Sequence, residues 1–172
     1  QMKVYPCEVV PWTIIEQWFK RGEYEPYATK QPKEFVNLIK DFILQCPPWI
    51  RLPRIVRDIP STYILGGNKI TNLRQLVEDM IKRDNKVCME MRYRECGRHA
   101  IYSRKDAELI VRNYKANKGR EHFISYESPN KVALFGFLRL RFPKNNNDII
   151  FDELKDTALI RELHVYGNML PV

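Results

Sequence analysis

The sequence predicts a mixed α/β fold, and three observations carry that prediction. Phe35, Leu38, Ile39, Phe42 and Ile43, and again Leu73, Leu76, Val77, Met80 and Ile81, recur at the spacing of one helical face. In the last third, apolar residues alternate with polar ones in runs bounded by Gly, Pro, Asn and Asp, the period of half-buried strands. A strongly basic stretch separates the two regimes: from Lys82 to Arg120, 12 Lys/Arg stand against 5 Asp/Glu, a surplus of +7 out of a total of +8.

Taken in order, Lys3–Val10 reads as a short buried strand through Val4, Val9 and Val10. A helix follows around Ile14, Ile15, Trp18 and Phe19, ended by Gly22 and Pro26. Pro32–Cys46 is an amphipathic helix stopped by Pro47-Pro48, which can neither donate to nor continue the ladder. Arg54–Arg57 reads as a second short strand, so that strand, helix, helix and strand fit the tail of an α/β barrel. Asn72 is placed to cap the Leu73 helix, with Gln75 completing a capping box. Cys88–Glu95 alternates Met89, Met91 and Tyr93 against Glu90, Arg92 and Arg94, which predicts a strand with an arginine-bearing face. Ser103 is read as the cap of a helix reaching Tyr114 and closed by Gly119. Phe123–Glu127 and Val132–Phe142 are expected as strands joined by a turn at Ser128-Pro129-Asn130-Lys131. Residues 144–148 form a polar loop, and Thr157–Tyr166 is a third strand, broken by Gly167-Asn168 and Pro171. A strand that stops pairing leaves main-chain groups for an extended ligand. The domain boundary is expected near Asn85.

Composition bounds the partners. With 172 residues, 44% apolar and 29% charged, the chain is of ordinary globular make-up for one domain or parts of two. No run approaches the ~20 apolar residues that cross a bilayer, so no membrane is expected. There is no signal-peptide pattern, and Cys7, Cys46, Cys88 and Cys96 are scattered, so the thiols are expected to be reduced and the chain cytoplasmic, or nuclear if the source is eukaryotic. The basic stretch is either a solvated face or a surface that releases counterions from nucleic acid, with Tyr93, Tyr102 and Tyr114 either stacking on bases or packing. Arg54, Arg57, Arg92, Arg94 and Arg98 are the candidate RNA contacts; Asp58 and Glu95 are the carboxylates that would claim some of them instead. Cys88, Cys96, His99 and His122 lack a common zinc spacing, and no metal site is expected.

Four ordered motifs span nearly the whole chain. Pro47-Pro48-Trp49-Ile50-Arg51 leads to Arg54-Ile55-Val56-Arg57-Asp58-Ile59-Pro60; Arg92-Tyr93-Arg94-Glu95 follows; then Ser125-Tyr126-Glu127 with Gly136-Phe137-Leu138-Arg139-Leu140-Arg141; then the run from Ile160 through Arg161-Glu162-Leu163-His164-Val165-Tyr166-Gly167 to Pro171-Val172. This set closely resembles the catalytic-subunit family of Elongator (elongator complex protein 3), which modifies the wobble uridine of tRNA at carbon five. The resemblance implies the C-terminal part of a radical S-adenosylmethionine barrel over 1–84, a basic linker over 85–120 and the N-terminal part of a GNAT-like acetyltransferase domain over 121–172. It implies that Glu162, Leu163, His164 and Val165 bind acetyl-CoA. His164 either assists proton transfer or only hydrogen-bonds its neighbours, and Tyr166 is either an acid or a packing residue. S-adenosylmethionine and a [4Fe–4S] cluster are implied by the family, but its closely spaced cysteine triad is absent here, and so is the Gly-rich turn for the CoA phosphates. The implied partners are the anticodon stem-loop of tRNA and either other Elongator-type subunits or a second copy. The alternatives are a protein (histone) lysine acetyltransferase and a noncatalytic tRNA-binding remnant.

Overall fold

The computed structural model describes residues 1–99, 102–144 and 149–167, and the chain divides into two compact units, Gln1–Tyr93 and Arg94–Val172. The first unit is built on helices. In α1 (Ile14–Lys20) the Thr13 hydroxyl accepts the Glu16 N–H at 3.2 Å, and Glu16 pairs with Lys20 at 2.7 Å, each charge on the end of the helix dipole that favours it. A single turn, α2 (Tyr27–Lys30), precedes α3 (Pro32–Leu44), which starts on proline and buries Phe35, Ile39 and Ile43. Those three meet Leu73, Val77 and Ile81 of α4 (Leu73–Arg83) in one core with Leu52 and Ile55. Both helical runs are therefore where the apolar spacing puts them. Asn72 precedes α4 but makes no side-chain capping bond, and Gln75 donates to Asp79 at 2.8 Å instead of reaching back, so the expected capping box does not form.

Three expected strands of this unit are absent. Lys3–Val10 contributes only a one-residue antiparallel bridge between Val9 and Gly66, and Arg54–Arg57 is irregular. Their apolar residues report burial of loops rather than pairing: Val9 and Ile55 are fully enclosed. Cys88–Glu95 fails as a strand because its backbone donors go elsewhere. The Met91 N–H binds the Ile50 carbonyl at 3.1 Å, and the Tyr93 N–H binds the Glu90 carboxylate at 2.9 Å. Glu90, Met91 and Arg94 are all buried, so no two-faced strand exists there.

The second unit is a four-stranded antiparallel meander. Its strands β1 (Glu108–Ala116), β2 (Gly119–Glu127), β3 (Leu134–Phe142) and β4 (Leu159–Val165) lie in chain order. The segment read as a helix from Ser103 to Tyr114 is a correction. Ser103 does cap, accepting the Lys105 N–H at 3.2 Å, but the helix it starts is one 3₁₀ turn, Arg104–Asp106. β1 then takes over: nine residue pairs join it to β2, and Ile110-Val111 are β-branched, so pairing overrides the local helical pattern. Gly119 opens β2 rather than closing a helix. Between β1 and β2, Asn117 and Lys118 both have positive φ (41° and 60°), the conformation of a two-residue hairpin turn whose twist matches the strands. The turn at Ser128–Lys131 and the two strands after it stand as expected. Asn145–Asp148, and the break expected at Asn168 and Pro171, lie outside the described residues.

Gly119 sits where no side chain fits. A Cβ there would lie 2.8 Å from the Arg141 guanidinium carbon and 2.9 Å from the Phe142 carbonyl oxygen. The second neighbour is backbone and cannot swing away. Gly119→Ala is expected to destabilise the sheet by about 1–3 kcal/mol, the usual range for overpacking, read as a lowered thermal midpoint of an otherwise cooperative transition.

Candidate functional site

Register decides which side chains share a face. Directly opposed residues Ile110, Ser125, Phe137 and His164 form one row, and Arg112, Phe123, Arg139 and Glu162 the next. This face is the buried one: Glu121, Phe123, Ser125 and Glu127 are enclosed along β2. The opposite rows, Leu109–Tyr126–Gly136–Val165 and Val111–Ile124–Leu138–Leu163, leave Leu163 68% and Val165 75% exposed. The enclosed face thus mixes carboxylates and arginines with the rings of Phe123 and Phe137, while the opposite face presents hydrocarbon to the outside.

The inner charges are closely matched. Glu127 accepts both Nη atoms of Arg112 (2.5 and 2.9 Å), the Ser125 hydroxyl (2.7 Å) and Arg94 Nη1 (2.9 Å). Burial alone would raise its pKa; hydrogen bonding from Arg112, the Arg94 charge and Ser125 outweigh that and hold its carboxyl below the ordinary value of 4.5. Glu121 accepts Arg141 at 3.0 Å and Arg161 at 2.6 Å on the same oxygen, Oε1, while its buried Oε2 has no hydrogen-bond partner among the described residues. Arg161 reaches it because β4 carries a bulge: Glu162 opposes Arg139 and Ile160 opposes Leu140, which leaves Arg161 as the extra residue.

β4 lies at one end of the sheet, hydrogen-bonded to β3, and carries all four residues expected to face acetyl-CoA. The structure separates their side-chain roles. Glu162 is tied to Arg139 Nε at 2.7 Å, and Arg139 also donates to the Tyr114 hydroxyl at 3.1 Å while lying over the Phe123 and Phe137 rings. A carboxylate so held is occupied as an ion-pair partner. Leu163 and Val165 point to the open apolar face. The His164 ring packs against Tyr166 (centroids 4.4 Å apart) and Phe137 (5.9 Å), and the Tyr166 N–H binds the Phe135 carbonyl at 2.8 Å. His164 and Tyr166 are therefore brought together on a fixed aromatic support. Gly136 lets β4 come close: a Cβ there would meet the His164 carbonyl at 3.1 Å.

The five candidate RNA arginines fall into different environments. Arg54 and Arg57 are exposed on the loop before Asp58; Arg54 pairs with Asp58, and Arg57 lies 5.7 Å from the centroid of the Tyr5 ring. Arg98 is exposed, and Arg92 is partly buried, donating to the Pro53 carbonyl. Arg94 is fully buried against Glu127, so its guanidinium braces the sheet rather than facing a ligand. Arg139, Arg74 and Glu90 escaped the sequence reading as organising residues. For Arg139 the signal was present in the alternation Phe137, Arg139, Arg141, where charge takes the inward places of a strand.

The cysteines make no centre. Cys46 and Cys88 are buried, and burial first of all pushes their thiols up to about 11 and about 12, which keeps them in the unreactive thiol form. Among the described residues no group of three or more His, Cys, Asp or Glu converges to hold a metal ion, and no helix is long and apolar enough to cross a membrane.

The Radical_SAM C-terminal domain model matches residues 1–83. Elongator complex protein 3 of Drosophila melanogaster is 38% identical over 175 residues, covering 99% of this chain and 31% of that protein. The tRNA uridine(34) acetyltransferase of Methanocaldococcus jannaschii is 36% identical over 177 residues, covering 99% of this chain and 32% of that protein. Among solved structures, the archaeal Methanocaldococcus infernus Elp3 with an N-terminal deletion superposes with a TM-score of 0.84 at 36% identity, over 96% of this chain and 39% of that one. The mixed α/β fold, the ordered motifs and 36–38% identity over 99% of its length together place the chain in the Elongator complex protein 3 family, and it spans 31–32% of the length of these two relatives.

Proposed function

We propose that the chain is the part of a tRNA uridine(34) acetyltransferase that joins a radical S-adenosylmethionine module to an acetyltransferase module. Residues 1–84 close the first, the basic stretch from 85 leads on from them, and the sheet that opens with β1 begins the second. The observation that carries this is the position of the motif-bearing strand: Glu162–Val165 lie at the end of the sheet, with His164 and Tyr166 seated on Phe137. Main-chain groups of β4 hold the extended arm of acetyl-CoA, which supplies the acetyl group when bound. Arg139 keeps Glu162 occupied, so Glu162 serves through its backbone, and His164 moves the proton at its ring nitrogen beside Tyr166. Arg54, Arg57, Arg92 and Arg98 grip the tRNA anticodon arm.

The iron–sulfur cluster of the radical module does not fit this chain's cysteines: Cys46 and Cys88 are buried, and among the described residues no three metal-ligating side chains converge. The same reading places the chain in the cytoplasm, assembled with other Elongator-type subunits or a second copy. The name of the M. jannaschii relative speaks of tRNA, which favours the tRNA reading over the protein lysine acetyltransferase alternative.

The test is an exchange. This segment replaces its counterpart in the M. jannaschii relative, and tRNA-stimulated hydrolysis of acetyl-CoA is measured. Activity is expected to persist; a folded, tRNA-binding chimera that consumes no acetyl-CoA overturns the reading. Within it, His164→Ala is expected to lower turnover about 10²-fold, the low end for a lost acid–base group, while acetyl-CoA affinity barely changes. Equal losses in both would show that the ring only packs.

A further inference from the structure

We propose that the cavity between the Pro53–Asp58 loop and the start of α4 is a phosphate pocket that seats one backbone phosphate of RNA. The proposal rests on the reading that this segment serves a tRNA-modifying protein, and deepens it by naming the subsite. The cavity measures about 280 Å³. Arg54, Arg74 and Arg92 line it, with Asp58 as the one acid among the described lining residues.

Two of the three guanidiniums are held in place. Arg74 is braced by Glu78 at 3.1 Å and Glu90 at 3.5 Å and donates to the Leu52 carbonyl; Arg92 donates to the Pro53 carbonyl. Cations fixed in this way lose little side-chain freedom when an anion arrives. Arg54 is the movable arm. Its side chain is 52% exposed and its partner Asp58 is 71% exposed, and such a pair is worth little in water, so a phosphate can take Arg54 from it cheaply.

The wall formed by α4 has the same sign. No acid stands in its first turn, Asn72 makes no capping bond, and Thr71 and Asn72 both line the cavity with polar groups. A carboxylate offers two oxygens, whereas a phosphate offers several in a tetrahedral array, which suits forks approaching from different sides.

The experiment uses the whole 172-residue chain with a fluorescent RNA stem-loop as one probe and inorganic phosphate as the other. Binding is followed by anisotropy across a salt series, and the arginine side-chain N–H signals by NMR. Arg54→Gln and Arg92→Gln are each expected to weaken RNA binding about fivefold to tenfold and to reduce the slope of log K against log salt by about 0.7–0.9, the share of one phosphate contact. Lys30→Gln, an exposed cation away from the cavity, is the control and should change the slope less. RNA that binds wild type and both cavity variants alike overturns the pocket while leaving the tRNA reading in place. Wild type that binds no RNA at all overturns both. Inorganic phosphate that shifts the arginine signals at millimolar concentration, with RNA failing to displace it, overturns the RNA assignment in favour of a free-phosphate site.

Discussion

Glu127→Ala is expected to unfold the strand-rich unit at temperatures where the parent chain is folded. The carboxylate is fully buried and takes four hydrogen bonds, from Arg112 twice, Ser125 and Arg94. Removing it leaves Arg94, itself 0% exposed, as a buried cation deprived of this carboxylate, along with a void where the carboxylate stood. Breaking such a pair from one side typically costs about 3–5 kcal/mol, a large part of the total stability of a small domain. Arg94→Ala should cost less, because Glu127 keeps Arg112 and Ser125. Chemical denaturation of the two variants gives the order directly, and a milder midpoint shift for Glu127→Ala than for Arg94→Ala would contradict the network as drawn.

The same carboxylate predicts an acid limb. Its folded pKa lies below 4.5, its value when unfolded, so the folded state holds this proton less tightly than the unfolded one does. The stabilisation is therefore complete above about pH 4.5 and is lost as pH falls through the depressed folded value. Glu127→Gln removes this dependence, and its stability should change less with pH below 4.5 than that of the parent.

How legible this was in the sequence follows from where each element gets its stability. α3 and α4 were readable because one apolar stripe buried against one core is a property of the segment alone. β3 and β4 were readable for the matching reason, with period two in place of 3.6. β1 was misread because Ser103, Asp106 and Gly119 imitate helix punctuation, while the nine pairings that make it a strand belong to β2. Alternation of Met and Arg in Cys88–Glu95 implies two faces, whereas Met91, Glu90 and Arg94 are all buried, the charged ones onto partners distant in sequence: Arg94 on Glu127, Glu90 on Leu52. The site divides in the same way. In the motif run His164 and Tyr166 fall on one side of the strand, and their rings meet at 4.4 Å, but no local pattern reveals that Glu162 is claimed by Arg139 or that Arg94 is sealed in. Long-range ion pairing is what one-dimensional reading cannot supply.

Glu90→Leu is expected to have the second large effect, and it reaches from stability to binding. Glu90 is fully buried, and each of its oxygens has a backbone duty: Oε1 accepts the Leu52 N–H at 2.6 Å, and Oε2 accepts the Tyr93 N–H at 2.9 Å. Leucine fits the volume but leaves both donors without this acceptor, at about 1–3 kcal/mol each, and takes from Arg74 one of its two carboxylates. The expected total is about 3–5 kcal/mol, close to the cost of breaking a buried pair, measured as a loss of the denaturation midpoint of the helical unit. Glu90→Gln separates the contributions. Its amide keeps one acceptor and one backbone bond but turns an N–H against the other, so its cost should fall between the parent and the leucine variant. The segment released, Leu52 to Arg54, is the one that carries a cavity arginine, and Arg92 is anchored to its Pro53 carbonyl. The glutamine variant, folded but with this loop loosened, should therefore bind an RNA stem-loop more weakly than the parent at a temperature where both are fully folded. Unchanged RNA affinity in that folded variant would show that the loop's geometry does not depend on the carboxylate beneath it, and that Glu90 serves packing alone.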